Sequence, residues 1–201
     1  TSTIHINPTE ARYHTTLAYD ILQGSPTNLT VSLPKEQSIT KIEGQNIRDW
    51  RVTTVDEDQT LTIDFVQPQT KAYTLAIHSE QAITQTASLF PPEPQGVERE
   101  GGRVVITAED VTVETGTVQG LRQANVAQGQ VGAWQYFGRK PFVLSITTQR
   151  IKPRVNLTST VSANQGETRL LATPQLTLQV EKAGIYSLTL NSSQLTGADA
   201  F

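Results

Sequence analysis

The chain contains no cysteine and no methionine. The first absence excludes disulfides, thiolate metal centres and a cysteine nucleophile. It leaves the compartment open, because reduced cytosolic proteins and many exported bacterial proteins both do without cysteine. The second absence extends to position 1, a threonine, so the sequence reads as an internal or processed piece with any targeting signal outside it. Long apolar runs are also missing, and no stretch approaches the ~20 residues that span a bilayer as a helix. Basic residues neither cluster nor prevail: 16 Lys and Arg stand against 19 Asp and Glu, for a formal net charge of −3. Without a basic stripe or a basic amphipathic helix, neither nucleic acid nor a membrane surface is an expected partner.

What the chain does contain is alternation. Leu61, Ile63 and Phe65 alternate with Thr60, Thr62 and Asp64, the pattern of a strand with one buried and one wet face. The same period runs through Leu29, Val31 and Leu33, through Tyr73, Leu75 and Ile77, and through Phe142, Leu144 and Ile146. It returns at Leu176, Leu178 and Val180 and at Tyr186, Leu188 and Leu190. Branched Thr, Val and Ile fill these places and suit a pleated surface. No helical stripe is sustained; Glu80 to Leu89 is the best helical candidate, with a plain loop as the alternative. Turn chemistry at Gly24-Ser25-Pro26, Gln67-Pro68-Gln69 and Ala183-Gly184 separates the runs. Short strands at this spacing predict an all-β chain of antiparallel, immunoglobulin-like β-sandwich modules.

The chain also begins to repeat itself. Thr1, Ser2, Thr3, Asn7, Glu10 and Arg12 recur without a gap as Thr158, Ser159, Thr160, Asn164, Glu167 and Arg169. The same offset sets Tyr19 on Leu176, Val31 on Leu188 and Leu33 on Leu190. The expected organisation is one full unit plus the start of a second. Residues 1–85 form a β-sandwich domain and 86–96 a proline-rich connector, Phe90-Pro91-Pro92-Glu93-Pro94-Gln95-Gly96. Residues 97–201 form a second β-rich domain whose 158–201 segment repeats 1–44. The edge strand of that last segment must pair with the middle region or stay open to another chain.

The string LTVSLPKEQSITKIEGQNIRDWRV, followed by LTIDFVQPQTKAYTLAI, resembles a pattern in very large, uncharacterised exported or membrane-anchored bacterial proteins. Those carry a strand, "LP", a valine- or isoleucine-rich strand, a glycine and "DW". Gly96-Val97-Glu98-Arg99, Gly102-Arg103-Val104-Val105-Ile106 and Val180-Glu181-Lys182-Ala183-Gly184-Ile185-Tyr186 are similar to segments there as well. The second copy departs from the pattern, with Asn191 where Pro34 would recur. The resemblance implies tandem β modules outside the cytoplasm, periplasmic, cell-surface or secreted, and carries no activity.

Candidate chemistry is sparse. Trp50, at the head of the strand from Arg51 to Val55, is expected to plug one end of a core, with Asp49 bonding a nearby turn. Asp56-Glu57-Asp58 is the densest carboxylate run, but it lacks the alternating acidic spacing of a calcium loop and reads as a solvated hairpin tip, as does Glu109-Asp110. His5, His14 and His78 are the only imidazoles. His5 and His14 lie on runs that can neighbour each other, yet no HxH or HExxH spacing supports zinc, so no metal site is assigned. No G-x-S-x-G, ordered triad or phosphate-cradling glycine loop is present, and Gly116 to Gly132 reads as a long loop. The most aromatic segment is Gly132 to Gly138, where Trp134 and Tyr136 share one strand face and Phe137 takes the other. Packing between the halves of the unit is the expectation there. If that face is open, Trp134 and Tyr136 are the ligand-binding pair and sugar rings the ligand. The N-x-S/T triplets at Asn28, Asn156 and Asn191 carry no weight in so Ser- and Thr-rich a chain. The expected function is a non-catalytic structural or interaction module of a larger exported bacterial protein. It needs no cofactor and is partnered by neighbouring repeats or another protein; the alternative is a carbohydrate-binding module.

Overall fold

Alternating positions become strand through most of the described residues. A computed structural model describes residues 1–55, 58–138, 142–182, 185 and 187–189; Asp56 and Glu57 of the expected hairpin tip and Asn191 lie outside them. The strands are β1 Ser2–Ile6, β2 Glu10–Tyr19, β3 Asn28–Pro34, β4 Gln37–Gly44, β5 Ile47–Val55, β6 Asp58–Phe65, β7 Tyr73–Ala82 and β8 Thr86–Ser88. They continue with β9 Glu93–Pro94, β10 Gly101–Ala108, β11 Val111–Gln119, β12 Arg122–Gln123, β13 Gly132–Phe137, β14 Val143–Arg150, β15 Arg154–Gln165 and β16 Leu170–Glu181. No helix occurs among the described residues, so none is long and apolar enough to cross a membrane. The chain is all-β, with sheets packed face to face.

Two units divide the chain, residues 1–150 and 151–201. This differs from the expected boundary at 86–96, and the reason lies in one sheet. A seven-stranded sheet of order β12-β13-β10-β1-β2-β7-β4 runs through the first unit. Its parallel pairing of β1 with β10, Ser2 opposite Val104, joins the two expected domains across about a hundred residues of sequence. Two smaller sheets, β11-β14-β8 and β5-β6-β3-β9, complete the unit. The odd positions of β2 explain why both lie on one face of the long sheet. Ala11 and Tyr13 belong to a core with Ile4, Ile106, Trp134, Leu144 and Ile146. Leu17 and Tyr19, further along the same face, pack on a second core of Val31, Leu33, Leu61, Ile63, Phe65 and Leu75. Leu61, Ile63 and Phe65 thus share a core with Val31 and Leu33, as their alternation predicts.

The proline-rich segment is a wall of this unit. Pro91, Pro92 and Pro94 are buried, and β9 pairs with β3 at the sheet edge, where a missing N–H costs no ladder bond. Residues 80–89 form neither helix nor plain loop: β7 continues to Ala82, clasped between β2 and β4. Gly116 to Gly132 is only partly a loop. β11 runs on to Gln119 because a bulge between Thr115 and Val118 absorbs the glycine. Trp50 is 42% exposed. It faces the way of its partner Ile63, but β5 is an edge strand paired only with β6, and nothing covers its ring fully. Asp49 does bond local backbone, accepting the Trp50 N–H at 2.8 Å beside a bulge.

A buried polar junction lies between the cores. Gln37 Nε2 donates to the Phe90 carbonyl, Ser79 Oγ donates to Gln37 Oε1 at 3.1 Å, and Gln59 Nε2 donates to the Pro34 and Gln37 carbonyls. Tyr13 Oη donates to Gln81 Oε1 at 2.8 Å beside it. These bonds satisfy the side chains of the buried residues Gln37, Gln59 and Ser79.

Among the described residues of the second unit, β15 and β16 form one long antiparallel hairpin. Val155 faces Val180, Leu157 faces Leu178 and Ser159 faces Leu176, so these positions make one apolar face, and Leu157 is 53% exposed. The sequence repeat does not extend to its register. In the first hairpin Ser2 faces Thr15, which the offset would translate into Ser159 facing Ala172; Ser159 instead faces Leu176. The turn explains the slip. Asn7 N–H donates to the Glu10 carbonyl in the first hairpin, whereas the second closes two residues later, Gly166 N–H to the Arg169 carbonyl. A glycine stands there in place of Thr9. The alternating burial of β2 is absent from β16, and residues 187–189 form no strand where β3 would recur.

Candidate functional site

The cleft of the first unit opens where the proline-rich wall passes over the seam between the cores. Its volume is about 370 Å³, at the small end of ligand-sized cavities. The end of β3 and the following turn supply Leu33, Pro34 and Glu36, and the start of β6 supplies Asp58. The wall supplies Phe90, Pro91, Pro92 and Glu93; Glu100, Tyr136 and Phe142 close the other side. Prolines hold fixed φ and the Phe90 carbonyl is tied down by Gln37, so this side is set before any ligand arrives.

Tyr136 is the central polar aromatic. Its Oη donates to Glu100 Oε1 at 3.0 Å, and its ring lies 5.3 Å from that of Phe142, tilted by 34°. The close approach of Gly102, its partner across β10 and β13, makes room for the ring: a Cβ there would lie 2.6 Å from Tyr136 Oη. Burial, then the charge of Glu100 and its hydrogen bond, and the charge of Glu93, push the Tyr136 hydroxyl far above its usual range. It therefore remains a donor at neutral pH. Among the described lining residues four are carboxylates and none is Lys, Arg or His. The cleft thus pairs aromatic faces with acidic acceptors, a combination suited to a cationic donor.

Burial likewise raises the hydroxyls of Tyr13 and Tyr19. A folded-state pKa above the unfolded value of about 10 contributes stability that is whole below that pH and lost as pH rises through it. The midpoint of urea unfolding should therefore fall steadily above about pH 10, and Tyr13→Phe should flatten the fall. A midpoint constant to pH 11.5 would contradict the assigned burial.

The expected ligand pair is divided. Tyr136 lines the cleft, but Trp134 is only 6% exposed and belongs to the first core. They share a face, and that face looks inward, because β13 is paired on both sides and covered by the three-stranded sheet. Phe137, on the other face, is 70% exposed. Asp58, expected at a hairpin tip, also lines the cleft. His5 bonds Thr107 and pairs with Glu109, while His14 meets His78 rather than His5. Sequence reasoning missed Glu36, Glu93, Glu100, Phe90 and Phe142, because the cleft joins four distant segments; the proline cluster is the signal that could have pointed to it. Among the described residues no three His, Asp or Glu side chains converge on a metal position.

No family model matches the sequence, and no curated protein is similar to it at a significant level. Among solved structures, the chain is similar to an M1 zinc metallopeptidase from Deinococcus radiodurans, with 9% identity and a TM-score of 0.45. A mutant of that enzyme bound to a Tyr-Ser-Ala substrate gives 10% identity and a TM-score of 0.44. Each match covers 87% of this chain and 46% of the other, so the chain spans less than half the length of those structures.

Proposed function

We propose that this chain is a non-catalytic interaction module of a larger exported protein, and that its cleft receives a basic side chain, lysine or arginine, from a partner polypeptide. The observation that carries the reading is the lining: Tyr136, Phe142 and Phe90 beside Glu36 and Asp58. A cation over aromatic faces with carboxylates in reach gains both quadrupole attraction and charge-assisted hydrogen bonds. Val155, Leu157 and Leu176, exposed among the described residues of β15 and β16, support membership of a larger assembly, since exposed apolar patches mark contact surfaces. Placement outside the cytoplasm rests on the sequence resemblance. The carbohydrate alternative loses its two-ring platform with the burial of Trp134.

The test is a nuclear magnetic resonance titration with short peptides containing arginine, lysine or norleucine at one central position, and with neutral oligosaccharides. The basic peptides should shift the ring signals of Tyr136, Phe142 and Phe90. Glu36→Gln with Asp58→Asn should weaken that binding at least tenfold without moving the melting temperature. Equal response to norleucine, response to oligosaccharides alone, or silence at the three rings would each overturn the proposal.

A further inference from the structure

The opposite face of the seven-stranded sheet carries a feature that neither the cores nor the cleft uses. His14 on β2 and His78 on β7 are direct cross-strand partners. Their ring centroids are 4.4 Å apart and nearly perpendicular. His78 Nε2 lies 3.1 Å from Glu43 Oε2 on β4, while Lys41 Nζ holds the other carboxylate oxygen at 2.5 Å. His14 has only a long contact, 3.5 Å from its Nε2 to Thr16 Oγ1.

We propose that His14 and His78 form a two-imidazole binding site for a borderline divalent transition ion, copper, nickel or zinc, with Glu43 as the positioning residue. Donation of the His78 Nε2–H to Glu43 leaves Nδ1 as the ring nitrogen with a free lone pair. A carboxylate behind a ligating imidazole is the usual way in which tautomer and ring direction are held. Two imidazoles sharing one ion at 2.0–2.1 Å per nitrogen hold their centroids about 4.5–5.2 Å apart, so the observed spacing of 4.4 Å suits a shared ion once rotation about side-chain bonds aims a nitrogen of each ring at it. The backbone needs none, because both residues stand mid-strand in a sheet hydrogen-bonded on either side. With no third imidazole or carboxylate converging among the described residues, water completes the coordination. Imidazole favours copper, nickel and zinc over calcium and magnesium, and copper binds most tightly in that series. The ion would tie together the two strands whose inner faces serve the cores. The sequence pairs His5 with His14 at most; only the β2–β7 register brings His78 to His14.

The probe is copper(II) chloride added to the whole 201-residue chain, read through the imidazole proton signals, with nickel, zinc and calcium chlorides in parallel. Substoichiometric copper should broaden the His14 and His78 signals before that of His5, and calcium should do nothing. His14→Gln, at an exposed position, should lower copper affinity at least tenfold, and His5→Gln should leave it unchanged. Glu43→Gln should lower it about 10–100-fold and shift the pH at which copper is released, a readout that a purely structural role would not move. Copper affinity in His14→Gln within twofold of the parent, or equal broadening of all three imidazoles, would overturn the site. His78→Gln should lower copper affinity as His14→Gln does; should it fail to fold, His14→Gln decides alone.

Discussion

Trp134→Ala should destabilise the first unit by about 3–5 kcal/mol, the range for removing a buried tryptophan. The indole is packed with Ile4, Val104, Ile106, Leu144 and Ile146. Its six-membered ring crowds Gly132, where a Cβ would come within 2.2 Å of it. That floor is backbone and cannot collapse into the space an alanine leaves. For a unit of this size the loss corresponds to roughly 6–20 °C in melting temperature. Trp50→Ala is the matched control: its ring is 42% exposed on an edge strand, and the expected loss is about 1–2 kcal/mol, well below that at Trp134. Thermal and urea unfolding of both variants decides the matter. A small loss at Trp134 together with a large one at Trp50 would reverse the assignment of core and surface.

Gln37→Leu should cost about 2–4 kcal/mol although the new side chain is apolar and of similar length. The Gln37 amide serves two partners, the part-buried Phe90 carbonyl and the buried Ser79 hydroxyl. Leucine serves neither, and each buried polar group left without a partner costs about 1–3 kcal/mol. Adding Ser79→Ala should recover part of the loss, because one orphan disappears with its hydroxyl. A double variant less stable than the sum of the two single changes would refute the bond between them. The same substitution frees the Phe90 carbonyl, and with it the wall of the cleft. Binding of a basic peptide should weaken in Gln37→Leu even at temperatures where the fold is intact.

The two proposed sites differ in how much of them a reader of the sequence can see. Phe90-Pro91-Pro92 announces a rigid extended segment, and Tyr136 stands out by its aromatic neighbours. Their meeting with Glu36 and Asp58 depends on pairing between strands that are distant in sequence, as does the contact of His14 with His78. A carboxylate at a turn reads as solvated whether or not a cleft forms beside it. For the same reason Trp50 and Trp134 both read as packed residues although only Trp134 is buried: each sits in a plausible strand, and strand pattern does not say which strand ends as an edge.

The local chemistry of the residues determined by itself that the chain is built of strands, and which side of most strands is apolar. Leu61, Ile63 and Phe65 could not share one face of a helix, and branched residues at the alternate positions reinforce the extended form. Tertiary structure decided how those strands were shared out. The β1–β10 pairing merged two expected domains into one sheet, and β2 served two cores along a single face. The turn at Gly166 moved the second hairpin out of the register its sequence likeness implied. Alternation specifies a face and leaves the partner open, because every strand offers the same backbone donors and acceptors to any neighbour. Choice of neighbour comes from the fit of whole faces and the closure of turns, and these exist only once the chain has folded.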